Sequence, residues 1–290
     1  MPQVIKNKFD YFELKKKPSV EELKKYYSEK YYQENNATYG QEYTPDEIKF
    51  FSNKIVQKYS LVKERFSGKA NPDMLDIGCG EGFTLKYFSD MNWNVTGLDY
   101  SSFGCKRHNP EVLEKITTGD IFANLEEIVK SGRKFDLIWL DNVLEHVLEP
   151  HLLLTMCREI GRDNSAVIIE VPNDFSKIQS LALQKGYIDN EFWIVSPDHI
   201  SYFNAEGLEN LCQSAGWKKI KIISDYPIEV NLLNDDCNYI KDSKKGKNTH
   251  FQRIEFENLL HEISVEKTNK LFEALAELGM GRSLTGVFIK

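Results

Sequence analysis

From about residue 73 the chain reads as short apolar runs separated by longer, mixed stretches. Runs at 73–78, 93–98, 114–119, 134–141 and 165–171 are each long enough for a buried strand, with room for a helix between them. That alternation predicts an α/β architecture, a Rossmann-like doubly wound sheet with helices packed on its faces. Two further runs break the alternation: 216–224 reads as a strand, and 283–290 reads as another at the extreme end. They are separated by roughly 58 residues, against about 2 to 5 in an ordinary hairpin loop.

Ahead of the alternating region, residues 1–70 carry many charges and tyrosines at helical spacing. Pro18-Ser19-Val20-Glu21-Glu22 predicts a helix capped by Ser19. A second helix is predicted to start at Thr44-Pro45-Asp46-Glu47, with Ile48, Phe51, Ile55 and Tyr59 on one face. The chain therefore divides into a helical N-terminal segment (1–70), a core (71–224 plus 282–290) and an insertion (225–281). The insertion carries a helical run near 252–278 and is expected to cover an acceptor site, to contact another subunit, or to be an inert embellishment.

The chemistry starts at Met74-Leu-Asp-Ile-Gly-Cys-Gly-Glu-Gly-Phe83, a strand running into a glycine-rich turn. Glycines at 78, 80 and 82 allow a tight turn and a ligand pressed against main-chain atoms. Asp99, one helix and one strand later in Gly97-Leu-Asp-Tyr-Ser101, is placed to accept hydrogen bonds from both hydroxyls of a ribose. A dinucleotide site wants a third glycine where Phe83 stands, and Asp76 would repel a diphosphate. Asp76 suits a positively charged amino acid moiety instead. S-adenosyl-L-methionine combines ribose, adenine, sulfonium and ammonium with no phosphate, and is the expected cofactor.

On these residues the chain resembles the class I S-adenosylmethionine-dependent methyltransferases, whose first motif reads like Leu75 to Gly82. The resemblance covers about residues 70–224 plus the last strand, and implies a seven-stranded sheet whose terminal strands pair antiparallel. It implies a cofactor site built from Asp76, Gly78, Cys79, Gly80, Gly82, Asp99, Tyr100, Asp120, Ile121, Asp141 and Asn142. Asp120 matches the position whose carboxylate meets the adenine amino group, with Ile121 packing on the ring; Asp120 is also a natural helix N-cap. An N-terminal aromatic residue often closes the pocket in similar enzymes, and Tyr31 or Tyr39 are placed for this among Tyr26, Tyr27, Tyr32 and Tyr43.

Two further stretches carry the likeness. Leu144-Glu145-His146 follows the fourth core strand, as in the family segment that faces methyl transfer. Ser196 to Gly216 is similar to a stretch in a subgroup that methylates small molecules, including sugars and quinone precursors. It supplies Asp198, His199 and Tyr202, with Asn204 as a helix cap; Glu145, Asn173, Asp198 and Tyr202 are expected around the acceptor. With an ordinary pKa near 6.5, a histidine can take a hydroxyl proton near neutral pH. His199 is the first choice of general base and His146 the second. Asp141, Glu145, Asp198 and His199 match no defined metal-ligand spacing, so no metal is expected.

Composition narrows the partners. A net charge of −7 disfavours broad nucleic-acid or anionic-membrane binding. Hydrophobic residues make up 41% of the chain, enough for a core, yet no window approaches the 18 or so consecutive apolar residues of a membrane span. Five cysteines at 79, 105, 157, 212 and 237 show no Cys-x-x-Cys spacing, which fits a reducing cytoplasm. The expected function is O-methylation of a small molecule, with a sugar or nucleotide-linked sugar of surface polysaccharide synthesis ahead of a quinone precursor. A nicotinamide-dependent oxidoreductase and a catalytically silent cofactor-binding subunit are the alternatives, and a homodimer is left open. Lys244, Lys245 and Lys247 form a basic loop, either a solvated surface or a contact for the diphosphate of a nucleotide sugar.

Overall fold

The computed structural model describes residues 3–23, 25–26 and 42–290. Two short strands come first, β1 (Val4–Lys6) and β2 (Phe12–Leu14), followed by helix α1 (Pro45–Ser60). The alternating region runs β3 (Asp73–Ile77), α2 (Phe83–Asp90), β4 (Asn94–Asp99), α3 (Phe103–His108), β5 (Ile116–Thr118) and α4 (Ile121–Ser131). It continues with β6 (Phe135–Asp141), α5 (Pro150–Ile160), β7 (Gly161–Pro172) and α6 (Lys177–Gln184). The chain closes with β8 (Ser201–Tyr202), α7 (Ala205–Ser214), β9 (Lys218–Ile223), α8 (Gly246–Glu277) and β10 (Ser283–Ile289).

Seven strands form the main sheet in the order β5-β4-β3-β6-β7-β10-β9. The first five pair in parallel, while β10 lies antiparallel between β7 and β9. Phe135, Leu137, Ile138, Trp139 and Leu140 of β6 are all fully buried, as a central strand covered on both faces requires. Strand order reverses between β3 and β6, and the crevice beyond their carboxyl ends is where such a sheet receives a ligand. The predicted sheet and its antiparallel terminal pair are therefore present.

Helix α1 begins as its sequence predicts: the Thr44 side chain accepts from the Glu47 amide, the Glu47 carboxylate accepts from the Thr44 amide, and Pro45 takes the first helical position. Its buried face differs in part from the expected one. Phe50, Ile55 and Tyr59 point inward, whereas Ile48 is 48% exposed. The N-terminal segment also contains a hairpin, where helices alone were expected. β1 and β2 pair antiparallel and β2 pairs with β8, setting Phe12 opposite Tyr202 and Glu13 opposite Ser201.

The insertion between β9 and β10 is dominated by α8, broken at Ser264, whose φ of −175° and ψ of 112° are extended. This helix lies along α1. Asn53 donates to Asn258 (2.9 Å), Lys54 pairs with the buried Glu257 (3.2 Å), and Asn269 donates to Ser60 Oγ (2.9 Å). Among the described residues no helix is long and apolar enough to cross a membrane.

Candidate active site

The glycine turn leaves β3 at Ile77 with Gly78, Gly80 and Gly82 at φ of +73°, +49° and +80°. The Gly78 amide donates to the Leu98 carbonyl (2.7 Å), tying the turn to β4. A Cβ on Gly78 would stand 2.4 Å from Val143 Cγ2, and one on Gly82 would stand 2.9 Å from Cys105 Sγ. Both positions need glycine for conformation and for space. Asp99 closes the turn from the next strand: its two carboxylate oxygens accept from the amides of Gly80 (2.8 Å) and Ser101 (2.9 Å). Burial pushes the Asp99 pKa up, and these N–H groups pull it back.

A cavity of about 920 Å³ opens at the carboxyl ends of the strands. Gly78 and Gly80 line it from β3, Asp99 and Tyr100 from β4, Asp120 and Ile121 from the loop after β5, and Asp141 and Asn142 from the end of β6. Asp120 is also the N-cap of α4, accepting from the Ala123 amide (3.0 Å). Three residues of the expected cofactor set lie outside this lining. Gly82 starts α2, Cys79 is buried behind the turn, and Asp76 is 3% exposed. Burial, reinforced by Asp141 and Asp99, raises the Asp76 pKa well above the carboxylate range. Much of the remaining wall is apolar, including Phe122, Val143, Val147 and Met156, with Val20 and Leu23 contributed from the N-terminal segment.

Neither Val20, Leu23 nor Lys58 was singled out by sequence reasoning. Lys58 projects from α1 beneath the cavity, 2.6 Å from Asp141 and 3.0 Å from Glu170, with 4% of its side chain exposed. Burial alone would lower its pKa, but the two carboxylates overcome this and raise it. Tyr43 braces the glycine turn by donating to Glu81 (2.7 Å). The two tyrosines proposed to close the pocket, Tyr31 and Tyr39, lie outside the described residues, as do Tyr27 and Tyr32.

The acceptor end is built on the Leu144-Glu145-His146 turn. The amides of Ile200 (2.8 Å) and Ser201 (3.2 Å) donate to the Glu145 carbonyl, stitching the 195–202 loop to it. His146 Nδ1 lies 2.7 Å from the Asp198 carbonyl oxygen. A carbonyl can only accept, so Nδ1 carries the hydrogen and Nε2 is the nitrogen that takes up a proton in the neutral ring. His199 packs edge-on against His146 with ring centroids 4.9 Å apart. His146 and Asp198 line the cavity, whereas His199 and Glu145 stand behind them. Of the two histidines expected as candidate bases, His146 is the one in the cavity lining.

Asn173 and Tyr202 occupy supporting positions instead of the cavity wall. Asn173 is 2% exposed and donates to the Gly281 carbonyl (3.0 Å), and Tyr202 is fully buried with its hydroxyl on the His199 carbonyl (2.9 Å). Both residues hold the loops that carry the histidines and the start of β10. Glu145 is 1% exposed, burial raises its pKa well above the usual range, and its Oε2 makes no hydrogen bond to the described residues. Glu145, His146 and His199 offer ligand atoms all within 4.8 Å of one another, a set able to hold a divalent ion and different from the one weighed in the sequence.

A family model described as a methyltransferase domain matches residues 50–222, more than half of the chain. A ubiquinone biosynthesis O-methyltransferase of Glaesserella parasuis is 24% identical over 63% of this chain and 83% of its own length. A protein of the same name from Aromatoleum aromaticum is 27% identical over 63% of this chain and 82% of its own length. Among solved structures, an Archaeoglobus fulgidus SAM-dependent methyltransferase shares the fold, with a TM-score of 0.50, 20% identity, and coverage of 82% of this chain and 94% of that one. The matched range spans the glycine turn, Asp99 and the strands from β3 to β9, and the chain belongs to the methyltransferase-domain family as a class I S-adenosylmethionine-dependent methyltransferase.

Proposed function

We propose that the protein methylates a hydroxyl group of a small molecule, with His146 as the general base and His199 supporting its ring. The observation that carries this reading is the 2.7 Å contact between His146 Nδ1 and the Asp198 carbonyl in a residue that lines the cavity. S-adenosylmethionine supplies an activated methyl group when bound, so the chain's own work is alignment and removal of one proton. Gly78, Gly80 and Asp99 would hold the cofactor, and Tyr100, Asp120 and Ile121 would surround its nucleoside part. Val20 and Leu23, both in the lining, support a covering role for the N-terminal segment.

For the acceptor, the apolar wall and the names of the relatives favour a phenolic quinone precursor or a similar metabolite over the sugar or nucleotide sugar of the sequence reading. Phe122, Val147 and Met156 would shelter a ring or an alkyl chain better than a polyol. Incubation with methyl-labelled S-adenosylmethionine and a panel of catechols, free sugars and nucleotide sugars tests this. Label in a catechol supports the reading, and label only in a sugar overturns it.

One observation favours a second route: Glu145, His146 and His199 are close enough to share a divalent ion. Such an ion would lower the pKa of the acceptor hydroxyl, and the imidazoles would then serve as ligands. Loss of turnover in a chelator, with recovery on adding one divalent ion, would select this route over the free histidine base.

A further inference from the structure

We infer that a second, smaller cavity, formed by Arg253, Arg282 and Tyr239, is a binding site for a small organic oxyanion, a carboxylate or a phosphate carried on an apolar body. This cavity has a volume of about 200 Å³ and is lined by Phe192, Ile228, Tyr239, Gly246, Arg253 and Arg282. It is separate in its lining from the large cavity that holds the glycine turn.

The two arginines are in different states. Arg282 is already matched: its Nη1 donates to Glu229 Oε1 (3.2 Å), and Glu229 also accepts from Gln179 (3.3 Å). Arg253 meets Nδ1 of His250 at 3.4 Å and the Phe50 ring at 5.2 Å, and none of the ion pairs among the described residues includes it. Its Nε is buried and makes no hydrogen bond to the described residues. A buried guanidinium donor without an acceptor is costly. An oxyanion in the adjoining cavity would remove that cost at Arg253, while Glu229, Asp174 and Asp225 remain the carboxylates around Arg282.

The rest of the wall sets the body of the ligand. Phe192 and Ile228 offer apolar surface and the Tyr239 ring a third face, so an aryl or alkyl oxyanion gains contacts that inorganic phosphate cannot make. Gly246 leaves room where α8 starts. Of the neighbouring lysines, Lys245 donates to the Asp235 carbonyl (2.5 Å), and none of Lys244, Lys245 and Lys247 is in the lining. The arginines, which the sequence did not single out, are the cations that meet this space.

Calorimetric titration of the full chain with inorganic phosphate, phenyl phosphate and benzoate tests the site. The expected result is saturable binding at one site, tighter for the two aryl anions than for phosphate. Arg253→Gln should weaken it about tenfold or more through loss of charge-assisted bonds, and Arg253→Lys, which keeps the charge and loses the fork, should fall between. Asp99→Ala should leave this binding unchanged, so that failure of the cofactor reading and failure of this one are told apart. Equal binding by a folded Arg253→Gln variant, or no saturable binding of any of the three anions to the unaltered chain, would overturn the inference. Tighter binding of phosphate than of both aryl anions would overturn the assignment of an organic ligand.

Discussion

Lys58 Nζ lies 2.6 Å from Asp141 Oδ2, joining the N-terminal helix to the end of the central strand directly beneath the large cavity. Glu170, 3.0 Å from the same ammonium, accepts from Thr285 of β10 (3.2 Å), so one buried cation ties α1 to β6, β7 and β10. Replacing Lys58 with Met would leave two partly buried carboxylates, Asp141 and Glu170, without the cation that bridges them. We expect a loss of about 3 to 5 kcal/mol in unfolding free energy, measured by denaturant titration. Adding Glu170→Gln should recover part of it, because one uncompensated charge is then removed.

Asp99 is expected to hold the cofactor ribose on the carboxylate that Gly80 and Ser101 orient. Asp99→Ala should weaken S-adenosylmethionine binding by roughly 1 to 3 kcal/mol, read by calorimetry. Unchanged affinity would remove the ribose assignment.

Gly78 offers a steric test of the same site. With φ at +73° and Val143 Cγ2 at 2.4 Å from a built Cβ, Gly78→Ala must distort the turn or displace Val143. Cofactor affinity should fall at least as far as in Asp99→Ala, whereas Gly132→Ala, at φ +71° with nothing within 4 Å of its Cβ, should leave affinity unchanged.

Asp174 gives a pH signature. Burial lifts its pKa to about 7, against the partial relief of Arg282. A carboxyl whose folded pKa lies above its unfolded value of about 3.9 binds more protons in the folded state, so stability falls as pH rises from about 4 to about 7 and is level above. Asp225, also lifted to about 7 by burial, adds to this slope. Asp174→Asn should flatten part of the decline in unfolding midpoints between about pH 4 and about pH 7; an identical profile would contradict the raised pKa.

The core was legible in the sequence because central strands buried on both faces, such as β6, must be largely apolar, and runs of this kind alternating with helix-length stretches admit few other folds. The turn beside Asp99 was legible for a related reason: a turn with positive φ favours glycine, and glycine is visible in sequence. The hairpin of β1 and β2 was not, since three-residue strands show no measurable period. Lys58 was hidden because on α1 it reads as one more surface lysine, and only the fold brings Asp141 and Glu170 to it. That His146 lines the cavity and has its Nδ1 2.7 Å from the Asp198 carbonyl was not legible, because the partner is a backbone atom that the order of residues does not display.

The most direct test of the account is the pH dependence of turnover with a catechol acceptor and labelled S-adenosylmethionine, for the unaltered protein, His146→Ala and His199→Ala, with cofactor affinity measured alongside. We expect His146→Ala to lose roughly 10² to 10⁴ in turnover together with the rise in rate near the histidine pKa, while cofactor affinity is kept and His199→Ala loses less. A His146→Ala variant that methylates the catechol at the unaltered rate and with the unaltered pH profile would contradict the proposed base.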